Sequence, residues 1–291
     1  MAPEAPFEPQ HRQVVANGLR MHYVESGEGE PVVFLHGFPE CWYSWRKQLA
    51  ALAPNYHVIA PDLRGYHETE ARPPYDTETL QQDVLGLIEA LGERSAHIVG
   101  HDWGGAIAWQ LAMNHPEALR SLAILNIPHP ALFREGLRSI AQLRRSWYIA
   151  FFQLPWLPEQ MLAFDGYRRL ARSVCRGIPA GEERRADLAF YRKSWREHGL
   201  TGGINWYRAL LRNPQSLPDP VPIIGAPTTM IWGEEDEALG KELTVGTERF
   251  VHDFDLHYLP GAGHFVQQDA PEQVNELLLA HLERAGNRSN G

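Results

Sequence analysis

The sequence predicts an α/β fold: a mostly parallel sheet with helices on both faces and an all-helical segment inserted into it. Three observations carry that prediction. Short apolar runs of strand length alternate with stretches of helical periodicity, as in parallel strands joined by crossover helices. One alternation, at residues 100–105, is tight enough to be a sharp strand-to-helix elbow. The alternation then stops after Asn126 and resumes near Pro227, with no convincing strand between. A chain of 291 residues, 44% hydrophobic and 22% charged, suits one large globular domain with an insertion.

Residues 13–15 and 19–25 flank Asn17-Gly18, a strong hairpin signal, and read as an antiparallel pair. Residues 31–35, 57–60, 97–99 and 121–126 are apolar runs of strand length and read as buried strands. Between them, residues 41–52, 77–91 and 103–114 carry apolar positions at helical spacing. Residues 130–218 are rich in Arg, Trp and Tyr and break into helix-like pieces, closed by the Pro-rich stretch Ser216-Leu217-Pro218-Asp219-Pro220. Residues 227–232 and 255–259 read as further strands, 240–250 and 271–284 as helices, and 285–291 as a frayed tail. The predicted division is a core in two parts, 1–129 and 219–291, with a helical cap at 130–218.

A formal net charge of −9 argues against a nucleic-acid binder and against a polybasic membrane anchor. The two cysteines, Cys41 and Cys175, make no disulfide framework and suit free thiols in a reducing cytoplasm. Residues 1–11 lack the apolar core of a signal peptide, and the chain has no run of about 18 apolar residues, so a cytoplasmic location without a membrane span is expected. The stretch from Gly233 to Gly240-Lys241 is only a faint echo of a phosphate loop: no Ser or Thr follows the lysine, and four acids would repel phosphate.

The chemistry centres on Gly100-His101-Asp102-Trp103-Gly104-Gly105. The small residues let strand and helix approach while Asp102 sits exposed at the turn. A carboxylate here, where acyl hydrolases carry Ser, suits attack on saturated carbon and a covalent alkyl ester. Hydrolysing that ester requires two N–H groups for the oxyanion, a base for water and a carboxylate to orient the base. Trp103, just after the nucleophile, supplies one N–H. Phe38 in the strand-following loop His36-Gly37-Phe38-Pro39-Glu40 supplies the other, with Pro39 fixing the loop. His264, in the glycine-rich loop Gly261-Ala262-Gly263-His264, is the expected base. Asp236 is its expected partner, with Glu235 as the competing acid of the same loop. His101 is expected to pack away from Asp102, and His36 to brace its loop by hydrogen bonding.

These motifs, with Trp42-Tyr43-Ser44-Trp45-Arg46 and Arg64-Gly65-Tyr66, make the chain similar over nearly its full length to the soluble epoxide hydrolases of the α/β-hydrolase fold. The resemblance implies an epoxide substrate, a vicinal diol product and no metal or organic cofactor. It also implies two cap tyrosines that bind the epoxide oxygen. These are Tyr148, in Tyr148-Ile149-Ala150-Phe151-Phe152-Gln153-Leu154-Pro155, and Tyr207, in Asn205-Trp206-Tyr207-Arg208. A phenol of pKa near 10 can hydrogen-bond the ring oxygen and then protonate the alkoxide. The competing expectation is that both tyrosines merely pack cap against core. Pro39, Trp42, Phe151, Phe152 and Phe265 are expected, with Trp103, to line an apolar pocket suited to aryl or alkyl epoxides. The sequence departs from the family at His67, where Gly is usual after Arg-Gly-Tyr, and at Thr69, where Ser is common. His67 is expected to need a different backbone conformation there, because His tolerates positive φ less readily than Gly.

Two other readings compete. Haloalkane dehalogenases share the Asp-Trp elbow, but they usually place Asn or Glu where Phe38 stands and lack the tyrosine pair. A catalytically dead binding protein would have lost a catalytic member, and this sequence retains each of them.

Overall fold

Asn17 and Gly18 both take positive φ and turn strand β1 (Gln10–Ala16) directly into β2 (Leu19–Ser26), pairing Ala16 with Leu19. In this computed structural model, which describes residues 7–212 and 217–289, that hairpin begins an eight-stranded sheet. The other strands are β3 (Pro31–Leu35), β4 (His57–Pro61), β5 (Ala96–His101), β6 (Leu119–Leu125), β7 (Thr228–Gly233) and β8 (Phe254–Leu259). Their order is β1-β2-β4-β3-β5-β6-β7-β8, with β2 antiparallel to both neighbours and every pair from β4 to β8 parallel.

The crossover helices are α1 (Arg46–Leu52), α2 (Thr77–Ala90) and α3 (Asp102–Asn114); α12 (Pro271–Ser289) closes the chain. Period-2 alternation sends opposite residues of each strand to opposite faces. Val33, Leu35 and Ile98 join Leu80, Val84, Ile107 and Leu111 from α2 and α3 in one apolar cluster. Val32, Phe34 and Val99 join Leu49, Leu52, Val274 and Leu278 from α1 and α12 in the other. Burial on both faces explains why these strands read as unbroken apolar runs.

Between β6 and β7 lie seven helices among the described residues. They are α4 (Pro130–Gly136), α5 (Ile140–Arg145), α6 (Trp147–Phe151), α7 (Leu157–Ala163), α8 (Arg168–Val174), α9 (Glu182–His198) and α10 (Thr201–Arg212). The indoles of Trp195 and Trp206 donate to the carbonyls of Pro39 (2.8 Å) and Arg64 (3.0 Å) and stitch this layer onto the loops after β3 and β4. Residues 213–216, inside the expected cap of 130–218, lie outside the described residues.

Three local expectations are corrected. Residues 240–250 form two short 3₁₀ turns, Lys241–Thr244 and Thr247–Arg249, rather than a helix. Gly246, at φ 94, interrupts them, and β-branched Thr244 and Val245 add little helical propensity. The last helix runs on to Ser289, anchored by the burial of Leu282 and Ala285. Residues 41–52 divide into a 3₁₀ turn, Trp42–Trp45, and α1. A short helix, α11 (Val266–Asp269), was not expected.

Candidate active site

The ends of β3, β5, β6 and β7 share one edge of the sheet, where loops in parallel sheets gather functional groups. Asp102 stands at the elbow between β5 and α3 with φ 48, a conformation that costs a non-glycine residue roughly 1–3 kcal/mol. The neighbouring glycines make room for it. A Cβ on Gly37 would lie 2.6 Å from Asp102 Oδ1, and one on Gly104 would lie 2.6 Å from the His36 carbonyl.

The two oxygens of Asp102 have different neighbours. Oδ1 accepts the Phe38 N–H at 2.9 Å, whereas Oδ2 faces His264 Nε2 at 3.6 Å. The Phe38–Pro39 peptide is cis. Trp103 is the second residue of α3, so its N–H is one of the helix's orphan donors. Burial opposes ionisation of Asp102, but His264, His101 and the Phe38 N–H outweigh it and hold the carboxyl below the usual range.

His264 Nδ1 donates to Asp236 Oδ2 at 2.7 Å. Asp236 is the acid of its loop that reaches the imidazole, and four donors fix it. Oδ1 accepts the N–H groups of Ala238 and Leu239 at 2.8 and 2.9 Å, while Oδ2 also accepts Asn126 Nδ2 at 2.7 Å. Burial works against the His264 cation, yet the carboxylates of Asp236 and Asp102 prevail and raise its pKa well above the ordinary value. Both carboxylates therefore favour the proton on His264.

Sequence reasoning missed the group that backs this triad. Asn126, at the end of β6 with φ 45, accepts the Gly233 N–H at 2.9 Å as well as donating to Asp236. Its signal was a lone amide closing an apolar strand at the elbow's edge of the sheet. Beneath the triad, His101 bridges Glu40 Oε2 and the His264 carbonyl at 2.8 Å each, and the amides of Gln267 and Gln268 also bond Glu40. The expected role of His101 is thus refined: it turns from Asp102 and ties the oxyanion loop to the base loop. His36 Nδ1 donates to the Gly37 carbonyl and Nε2 accepts the Leu63 N–H, both at 3.0 Å, so the ring braces its loop.

The cap presents Tyr148 from α6 and Tyr207 from α10, with ring centroids 5.8 Å apart. Both phenols are held well above their ordinary pKa, first by burial and next by the negative charge of Asp102. Tyr207 also packs edge-to-face on the ring of Trp103, centroids 5.0 Å apart. The residues around the tyrosines lock them together. Gln153 Nε2 donates to the Tyr207 carbonyl at 2.8 Å, and Arg208 donates to the carbonyls of Phe152 and Leu154 at 3.1 and 2.7 Å.

Two cavities, of about 350 and 680 Å³, share Asp102, Tyr148 and Tyr207 among the described residues that line them. Pro39, Phe152 and Phe265 line the larger cavity, and Trp103 lines the smaller one. Trp42 and Phe151 line neither. Trp42 opens the 3₁₀ turn behind the oxyanion loop, where its ring packs on His11, Tyr43 and Phe190. Phe151 is turned onto Trp147 and Phe152.

His67 keeps the left-handed conformation, φ 44, in place of the different backbone expected of it. Its Nδ1 meets Ser194 Oγ of α9 at 2.8 Å, so a contact with the cap helps to hold a conformation that Gly would adopt without strain. Thr69 Oγ1 accepts the His22 N–H at 2.9 Å.

A family model described as alpha/beta hydrolase fold matches residues 30–271. AB hydrolase superfamily protein YfhM of Bacillus subtilis is 38% identical over 93% of this chain and 96% of that protein. Epoxide hydrolase 4 of Homo sapiens is 40% identical over 92% of this chain and 76% of that protein. The crystal structure of Bacillus megaterium epoxide hydrolase in complex with an inhibitor superposes with a TM-score of 0.85 at 30% identity, covering 94% of this chain and all of that one.

Proposed function

The chain belongs to the epoxide hydrolases of the α/β-hydrolase fold, and from that premise we propose that it converts apolar or aromatic epoxides to vicinal diols through an ester on Asp102. The observation that carries this reading is the facing of one buried carboxylate, Asp102, by two buried phenols, Tyr148 and Tyr207, across shared cavity space.

Oδ2 of Asp102 attacks a ring carbon, and the carbon–oxygen bond breaks. A tyrosine hydroxyl protonates the departing alkoxide, leaving a hydroxyalkyl ester and a tyrosinate. Esterification removes the Asp102 charge, one of the two that hold the proton on His264. The imidazolium now releases that proton, which restores the tyrosine. Neutral His264, oriented by Asp236, takes a proton from water, and hydroxide adds to the ester carbonyl. The oxyanion forms on Oδ1, which already accepts the Phe38 N–H, with the Trp103 N–H as second donor. Collapse expels the diol, whose oxygen takes the hydroxyl proton from Asp102. Carboxylate and imidazolium are regenerated.

The tyrosine pair favours this over carbon–halogen hydrolysis: Tyr207 packs edge-to-face on the Trp103 ring, centroids 5.0 Å apart, so a phenol stands beside the indole that a dehalogenase would offer to halide. The two cysteines are buried as free thiols, which supports a reducing, cytoplasmic setting. No helix among the described residues is long and apolar enough to cross a membrane.

A single turnover in ¹⁸O-water with enzyme in excess tests the covalent step. The first diol carries unlabelled oxygen from Asp102; a fully labelled first diol means direct attack by water and ends the proposal.

A further inference from the structure

Tyr148 is carried by a helix that cannot hold itself in place. α6 is five residues, little more than one turn, and each of them keeps some exposure to solvent. An isolated helix that short is unstable in water. Besides the packing of the Tyr148 ring on Phe152 and Tyr207, its position rests on its two ends. At the C-terminal end Gln153 Nε2 donates to the Ile149 and Tyr207 carbonyls at 3.0 and 2.8 Å. At the N-terminal end stands Gln142.

Gln142 is 1% exposed, the one fully buried residue of α5. A buried amide needs partners for its polar atoms, and this one has them. Nε2 donates to Ser146 Oγ and to the Ala238 carbonyl, both at 3.0 Å, and Oε1 accepts the Gly240 N–H at 3.3 Å. Ser146 is itself buried where α5 ends and α6 begins, and its N–H bonds the Gln142 carbonyl at 2.9 Å. Ala238 and Gly240 belong to the loop after β7, in which the Ala238 N–H is one of the donors that fix Asp236. One cap amide therefore joins the break before α6 to the loop of the triad acid. Arg145 and Glu242 span the same gap at 2.8 Å, but both are more than a third exposed, and such pairs contribute little.

Resting on the epoxide-hydrolase reading, we propose that Gln142 is a positioning residue for ring opening: it registers α6 against the Asp236 loop and so sets the Tyr148 hydroxyl over the epoxide that Asp102 attacks. Gln142 lines neither cavity and acts through Tyr148. The core end of this tie is the firm one, because Asp236 keeps the Leu239 N–H, Asn126 and His264 without it. The end free to drift is α6. A reacting group misplaced by about 1 Å can cost about 10²-fold in rate; here Tyr207 remains, so the loss is smaller.

Single-turnover kinetics on styrene oxide test this with Gln142→Ala. Ester formation is expected to slow about tenfold, while ester breakdown stays within about threefold. Combining the variant with each tyrosine change separates positioning from general loosening. In a Tyr148→Phe background Gln142→Ala is expected to cost ester formation no more than about twofold; in a Tyr207→Phe background it should cost at least about tenfold. Ser146→Ala removes one acceptor and leaves the other bonds of the amide in place. It is expected to reproduce the pattern at about two- to threefold, and it carries the test if Gln142→Ala does not fold. Equal losses in the two tyrosine backgrounds overturn the proposal, as do unchanged ester formation or a loss confined to ester breakdown. An unaltered protein that yields no diol from styrene oxide or from aliphatic epoxides overturns the hydrolase reading instead.

Discussion

The core and the cap hold their functional groups by different means. In the core, Asp102 and Asn126 sit at positive φ at strand ends, and Asp236 is fixed by four hydrogen bonds. The backbone itself places these groups. In the cap, Tyr148 and Tyr207 ride on helices, and their rings are set by Phe38 and Phe152 and by the bonds from Gln153 and Arg208. Side-chain packing places these groups. The difference follows the division of labour proposed above. Ring opening needs both halves at once, whereas ester hydrolysis needs the core alone.

The sharpest way to break that division is to remove the core's shared group. Asp102→Ala is expected to lower kcat by at least about 10⁴-fold with the far-UV spectrum unchanged, since both steps use this carboxylate. His264→Gln separates the steps: the ester forms and persists, and intact-protein mass rises by the mass of the epoxide. Absence of that adduct under saturating substrate would place His264 in ring opening as well.

The cap side should respond more gently. Tyr148→Phe and Tyr207→Phe are each expected to slow ester formation by about 10–10² fold, because the other phenol remains, and the double variant by well beyond 10²-fold. Pre-steady-state ester formation should fall while ester breakdown stays within about threefold. A slower breakdown would show that the cap also serves the second step.

The pH dependence sharpens the same comparison. In the free enzyme two carboxylates raise the His264 pKa; in the ester only Asp236 remains, so the pKa falls. Ester breakdown needs the neutral ring, so its rate should decline about tenfold per pH unit below that lower pKa. Single-turnover breakdown should therefore titrate at lower pH than His264 followed by NMR in the free enzyme. Coincident values would mean that Asp102 contributes little to the imidazolium.

The smallest effect is expected at the seam. His67→Gly relieves roughly 1–2 kcal/mol of left-handed strain but loses the Ser194 contact and adds flexibility to the unfolded chain. These terms offset, so stability by urea denaturation should move by less than about 1 kcal/mol. A larger loss would show that the Ser194 bond carries more of the cap's attachment than one hydrogen bond normally does.

What could be read in the sequence follows from what is local. The alternation of apolar runs, Asn17-Gly18, and the glycines around Asp102 act within a few residues, so strands, hairpin and elbow were legible, as were His264 and Asp236 from their loops. The tyrosines were legible only through a family resemblance, because no spacing rule connects α6 to α10. Asn126, the Glu40–His101 bridge and the Gln153 and Arg208 ties went unread because their partners lie far along the chain: 110 residues separate Asn126 from Asp236 and 61 separate His101 from Glu40. Trp42 and Phe151 were misjudged for the same reason. Their aromatic character is a property of the residue, but which wall a ring faces is fixed only when helices pack. The sequence by itself thus determined which reactive groups exist and on which turns they stand. Only the tertiary structure decided which oxygen of Asp102 accepts the Phe38 N–H and which faces His264, which aromatics line the site, and that one carboxylate and two phenols stand on both cavities.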